Sequence, residues 1–163
     1  MDMKLLRDRV AIVTGGGSGI GRAICESYAL EGAQVAALDL DGKSARETAE
    51  TVGGLAVAVD VSDLASCSVA VAKVHDQLGP PGVLVCSAAY FAKRVPLADV
   101  AEDAWDRTMR VNICGHFNMC KLCIPYMVAA GGGSIVHKTR AGDCRVQATG
   151  ECAFLVAIVI CRL

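Results

Sequence analysis

Thr14-Gly15-Gly16-Gly17-Ser18-Gly19-Ile20-Gly21 follows directly on the short apolar run Val10 to Val13 and opens a helical stretch from Gly19 to Glu31. Glycine suits such a strand-to-helix turn for physical reasons. The chain must bend sharply, lie close to a bound pyrophosphate, and let the helix pack tightly on its strand. The start of the helix then offers free N–H groups and the positive end of its dipole to phosphate. A glycine-rich turn by itself merely connects elements in many proteins. Here a second apolar run ends in Asp39, 24 residues beyond Gly15, where a carboxylate accepts hydrogen bonds from a ribose diol. The pair reads as a dinucleotide site made by Gly15, Gly17, Ser18, Gly19, Ile20, Gly21 and Asp39. The other reading of Asp39 is a solvated loop acid beside Asp41.

Outward from that turn, β-rich runs alternate with helical stretches. The runs are Val10 to Val13, Gln34 to Leu38, Leu55 to Val59, Val83 to Cys86 and Ser134 to Val136. The helices are expected near Gly19 to Glu31, Gly42 to Thr51, Leu64 to Leu78 and Glu102 to Ala130. Strands that are apolar throughout and separated by helices imply a parallel sheet covered on both faces. The expected fold is therefore α/β, a Rossmann-type doubly wound parallel sheet in three αβα layers. Gly32, Gly79-Pro80-Pro81-Gly82 and Gly131-Gly132-Gly133 punctuate the helix ends.

Composition narrows the function. The 163 residues carry 16 Lys+Arg against 17 Asp+Glu, a net charge of -1 without any basic block, which argues against nucleic acid as the main partner. Met1 to Arg9 is too charged for a signal peptide, and the longest apolar run, Cys152 to Cys161, is ten residues against the ~20 of a membrane span. The nine cysteines lie mostly in apolar runs, as reduced core thiols of a cytoplasmic protein would. Cys120-Lys121-Leu122-Cys123 spells C-x-x-C, but no second ligand pair follows at zinc-site spacing, so no metal is expected. Cys114 and His116 read as ordinary helix residues.

Asp39 favours NAD over NADP, because a carboxylate repels a 2′-phosphate and no Arg directly follows Gly17 or Asp39. Asp60-Val61, at the end of the third strand, has two readings: Asp60 neighbours the adenine, or Asp60 or Ser62 caps the next helix.

These motifs carry a family resemblance. T-G-x-x-x-G-I-G at 14–21, Asp39, Asp60-Val61, Cys86-Ser87-Ala88-Ala89 after Val83-Leu84-Val85, Val111-Asn112 in a long helix, and Gly132-Gly133-Ser134-Ile135-Val136 resemble the short-chain dehydrogenase/reductase family over about Arg7 to Val136. The resemblance implies a nicotinamide cofactor, touched also by Ser87 and Ala88, hydride transfer between alcohol and carbonyl, and homo-oligomers. Cys86-Ser87-Ala88-Ala89 stands where the family has Asn-Asn-Ala-Gly, which removes side-chain hydrogen bonds but not backbone contacts to cofactor.

The family's catalytic set is an Asn, a Ser and a Tyr-x-x-x-Lys pair. Asn112 matches the Asn, which would hold a proton-relaying water; its other reading is an Asn that bends or caps a helix. The rest is missing. His137-Lys138-Thr139-Arg140 replaces the expected Asn-Ile-Ser-Ser, and the tyrosine's place falls near Cys152, Ala153 and Phe154. Four residues beyond Tyr28, Tyr90 and Tyr126 stand Gly32, Arg94 and Ala130, never lysine. Tyr90 with Lys93 is a makeshift acid or an aromatic wall, and His137 either reaches the crevice or is structural. Residues 137–163 are thus expected to be a divergent tail of the 1–136 dinucleotide-binding domain, from a frameshift, an alternative splice or a sequencing error. The sheet would be incomplete on its C-terminal side, with apolar helix faces uncovered and the run Phe154 to Ile160 available to pair on its edge. Activity of such a chain would be impaired. A non-catalytic dinucleotide-binding module and a non-functional truncated product are the alternatives.

Overall fold

The computed structural model describes residues 4–93 and 95–138, together with the backbone of Cys161–Arg162. Five parallel strands, β1 (Val10–Thr14), β2 (Gln34–Asp39), β3 (Leu55–Ala58), β4 (Pro81–Cys86) and β5 (Ser134–His137), lie in the order β3-β2-β1-β4-β5. A two-residue strand, β6 (Cys161–Arg162), pairs antiparallel with β5 at Ile135 and Ser134. The expected edge strand, Phe154 to Ile160, lies outside the described residues.

Helices cover both faces. Ile12, Leu38 and Leu84 point toward α3 (Leu64–Leu78) and α5 (Gly115–Ala129), meeting Cys67, Val71, Val74, Met119 and Met127. On the opposite face Ala11, Val13, Val35 and Val85 pack on Cys25 of α1 (Gly19–Leu30), while α2 (Gly42–Val52) adds Val52. Alternate residues of β1 therefore serve different cores, and all five of its residues are buried. This is the doubly wound, three-layer plan that the continuous apolar strands predict.

The stretch expected as one helix from Glu102 to Ala130 is divided. α4 (Glu102–Met109) passes into a π turn at Arg110–Cys114 before α5 begins. A π turn accommodates one extra residue in the helical ladder, which apolar periodicity does not report. Trp105, Met109, Ile113 and Phe117 recur along this run at four-residue intervals and remain exposed.

A dinucleotide crevice at the sheet switch point

Strand order reverses between β1 and β4, so the loops leaving their C-terminal ends diverge and open a crevice. Its volume is ≈ 330 Å³. Of the eleven residues expected to touch a cofactor, Gly15, Ser18, Gly19, Ile20, Gly21, Asp39, Asp60, Val61, Ser87 and Ala88 line it, and Gly17 does not.

Each glycine of the turn has a local reason. Gly15 adopts φ +66, and a Cβ there would sit 2.9 Å from the Ala88 backbone N and Cα. A Cβ on Gly21 would run into the Gly15 carbonyl oxygen. Gly17 lies beneath the crevice, its N–H donating to Asp39 Oδ2 at 2.9 Å, and Asp39 Oδ1 accepts from the Asp41 N–H at 3.0 Å. Asp39 is thus held in place at the crevice wall, while its neighbour Asp41 is the cap of α2, accepting from the Lys43 N–H. The hydrogen bond from Ser44 holds the Asp41 carboxyl below its ordinary range. At α1, Ser18 is the N-cap residue but makes no side-chain capping bond, and no acidic residue stands in the first turn. The first N–H groups of that helix face the crevice as open anion donors.

Thr14 is a contact that the motif alone did not assign to the site. Its Oγ1 accepts from the Ser87 N–H at 3.0 Å and the Ala88 N–H at 3.2 Å, and donates to the Val85 carbonyl at 3.4 Å. One buried hydroxyl therefore fastens the end of β4 to the end of β1. Its place as the first residue of the glycine-rich turn was the signal. Asn118 does similar work for Val61: its Nδ2 donates to the Val61 carbonyl at 3.0 Å, and Gly115 lets α5 approach Val61 closely.

Asp60 Oδ1 accepts from both N–H and hydroxyl of Ser62, at 2.9 and 2.7 Å. Neither residue caps α3; Asp63 does, accepting from the Ala65 and Ser66 N–H groups. The capping reading of Asp60 and Ser62 is corrected by one turn geometry: Asp60 closes the loop that Asp63 then leads into the helix.

Asn112 sits in the π turn and makes a reciprocal pair with the main chain of Tyr90. Tyr90 N–H donates to its Oδ1 at 2.7 Å, and its Nδ2 donates to the Tyr90 carbonyl at 3.0 Å. Asn112 is therefore a clamp on the loop after β4, not a helix cap. The Tyr90 ring lines the crevice with the Arg107 guanidinium 4.4 Å from its centroid, and Lys93 points into solvent. The aromatic-wall reading of Tyr90 fits this arrangement. Lys138, whose N–H extends the sheet by donating to the Cys86 carbonyl at 2.9 Å, also lines the crevice. Thr139, Arg140, Cys152, Ala153 and Phe154, the places where serine and tyrosine were looked for, lie outside the described residues.

His137 does not line the crevice. It turns to the α5 side, where its Nδ1 lies 3.2 Å from His116 Nδ1 and its Nε2 lies 3.8 Å from Cys120 Sγ. Burial lowers both imidazole pKa values from the usual 6.5, and for His116 the neighbouring His137 adds to the effect. Cys86 and Cys120 share a hydrogen bond that raises the Cys86 thiol pKa and lowers that of Cys120. His116, read from sequence as an ordinary helix residue, is therefore part of a polar cluster.

The profile of the family described as short chain dehydrogenase matches residues 9–143. D-threitol dehydrogenase of Mycolicibacterium smegmatis is 39% identical over 137 residues, covering 81% of this chain and 52% of that protein. Sorbitol dehydrogenase of Cereibacter sphaeroides is 36% identical, covering 88% of this chain and 57% of that protein. In three dimensions the chain resembles the crystal structure of 3-ketoacyl-(acyl-carrier-protein) reductase from Brucella melitensis complexed with NADH, with a TM-score of 0.76, 33% identity, and coverage of 77% of this chain and 53% of that one. The chain spans about half the length of the curated relatives it matches. The glycine-rich turn, the acid ending β2, the 3-2-1-4-5 strand order and the profile match agree, and the chain belongs to the short chain dehydrogenase family.

Proposed function

We propose that this chain binds a nicotinamide dinucleotide, NAD in preference to NADP, in the crevice at the β1/β4 switch point, and that it derives from an oxidoreductase that transfers hydride between an alcohol and a carbonyl. The observation that carries this is the cradle itself: glycines whose Cβ atoms would strike the backbone, an uncapped helix start facing the crevice, and a carboxylate fixed at the end of β2. When bound, the nicotinamide ring supplies the hydride chemistry. The chain's own residues do the holding. The α1 N–H groups take the pyrophosphate, Asp39 takes the ribose diol and disfavours a 2′-phosphate, and Asp60 and Val61 border the adenine. The Ser87 and Ala88 backbone, pinned by Thr14, forms the floor beside Gly15.

Turnover is a separate matter. The described residues include no Tyr-x-x-x-Lys pair of the family's kind to move the substrate proton, a step worth roughly 10²–10⁴-fold in rate. We place Asn112 as the family's catalytic Asn by position, with its side chain here engaged in holding Tyr90. The chain is thus a binder of cofactor with impaired catalysis. Titration with NADH, read by nicotinamide fluorescence, and turnover with sugar alcohols, the substrate class named for the threitol and sorbitol dehydrogenases above, test the two parts. Saturable binding with little turnover is expected. Failure to bind refutes the reading of the crevice, and full turnover refutes the reading of the catalytic set.

A further inference from the structure

Four polar side chains meet on the α5 side of the sheet, away from the crevice. Two come from neighbouring strands: Cys86 of β4 and His137 of β5 are in register, so their side chains leave the same face next to each other. Two come from α5: His116 and Cys120 are one helical turn apart and share its sheet-facing side. Cys86 Sγ, Cys120 Sγ and the His137 ring nitrogen all lie within 4.8 Å of one another.

The geometry points to a zinc site at Cys86, Cys120 and His137, with His116 as the residue that positions His137. A tetrahedral zinc ion with Zn–S about 2.3 Å and Zn–N about 2.0–2.1 Å sets its ligands about 3.6–3.8 Å apart along each edge. The Cys120 Sγ to His137 Nε2 separation, 3.8 Å, already has that length. His137 is also oriented as a ligand should be. When its Nδ1–H donates to His116 Nδ1, 3.2 Å away, its Nε2 is left as a lone pair directed at the thiols. Charge favours a divalent ion as well: Cys86 is wholly buried, and two thiolates on one dication bring the group to neutrality, where two buried anions would not be tolerated. Thiolate and imidazole together select a soft or borderline cation over magnesium or calcium. Cys120 and His137 are only half-buried, which leaves the cluster within reach of an ion from solvent.

None of the four side chains lines the crevice, and the test uses the metal alone. The purified full chain, reduced and freed of metal, is titrated with Co(II) and then with Zn(II). One Co(II) per chain is expected, with thiolate-to-cobalt charge transfer and the visible bands of a tetrahedral ion, both erased by zinc. Cys120→Ser and His137→Asn should each abolish this spectrum, His116→Ala should weaken binding roughly 10–100-fold, and Cys114→Ser, at an exposed cysteine outside the cluster, should change nothing. Circular dichroism checks that each variant folds. Should Cys120→Ser fail to fold, the half-exposed His137→Asn decides. A folded wild-type chain that takes up no cobalt overturns the assignment. So does an octahedral spectrum without thiolate bands, or a tetrahedral one that survives in His137→Asn.

Discussion

Replacing Thr14 by Val tests whether one hydroxyl fastens the two central strands at the crevice. Valine matches the shape of threonine and keeps the β-branched side chain that the strand prefers. It removes the acceptor of two main-chain donors, Ser87 N–H at 3.0 Å and Ala88 N–H at 3.2 Å. Thr14 is 1% exposed and Ser87 7%, so no water replaces the oxygen at Ser87, whereas the partly buried Ala88 N–H recovers some solvation. An unsatisfied buried donor costs about 1–3 kcal/mol, so the full loss at Ser87 and a partial loss at Ala88 come to about 2–4 kcal/mol. For a domain of this size each kcal/mol lowers the melting temperature by about 2–4 °C, which gives a drop of about 4–16 °C. Thr14→Ser keeps the oxygen and gives up one buried methyl, about 1 kcal/mol, and should recover most of the loss. Thermal unfolding followed by far-ultraviolet circular dichroism measures both. A Val variant that melts within about 2 °C of the parent, or a Ser variant that melts as low as Val, would refute the reasoning.

Gly21→Ala drives a methyl into the Gly15 carbonyl and should reduce NADH affinity at least tenfold, read by fluorescence titration, with a clear fall in melting temperature. Asp39→Asn exchanges a charged acceptor of the Gly17 N–H for a neutral one and removes the repulsion of a 2′-phosphate. Competition titrations should show weaker NADH binding and a several-fold shift of preference toward NADPH. Asp63→Ala should cost about 1 kcal/mol by uncapping α3, measured in urea, whereas Ser62→Ala should cost less. Burial pushes the Cys25 and Cys123 thiols up to about 12, so thiolate is scarce at neutral pH and gains about tenfold per pH unit below that value. Peptide mapping after brief iodoacetamide treatment of the native chain should find both unmodified and the exposed Cys114 alkylated.

Strands, helix starts and the crevice were legible because each is signalled locally. β1 to β5 are near-continuous apolar runs, the first three closed by glycine or acid, and all five occur within one or two residues of where those runs stand. The turn at 14–21 announces its own conformation, since Gly15 and Gly21 each stand where a side chain would collide with backbone. What was not legible is tertiary. The π turn at Arg110–Cys114 coincides with the pairing of Asn112 to Tyr90, two residues 22 positions apart. The cap of α3 was sought at Asp60 or Ser62, whereas Asp63 supplies it, a choice among close Asp and Ser residues that local pattern cannot rank. The thiol–imidazole cluster draws on three elements with no fixed spacing between them. A search for paired C-x-x-C motifs sees only Cys120 and Cys123, and of that pair only Cys120 turns to His137.

The same topology sets the crevice apart from the places where the family carries its proton-moving groups. The crevice belongs to β1 and its neighbours: β1 is flanked by β2 and β4, and beyond them lie β3 and β5. The hydrogen bonds that shape it, from Thr14 to the β4 end, from Gly17 to Asp39 and from Asn118 to Val61, close within residues 14–118. The proton-moving groups of the family belong to the end of β5 and the chain beyond that strand. There this chain presents Lys138 to the crevice and turns His137 away to Cys120. A site assembled from the centre of a sheet tolerates change at the fifth strand. The family's proton-moving pair, by contrast, depends on the end of that strand and the chain beyond it, and the described residues hold no Tyr-x-x-x-Lys pair.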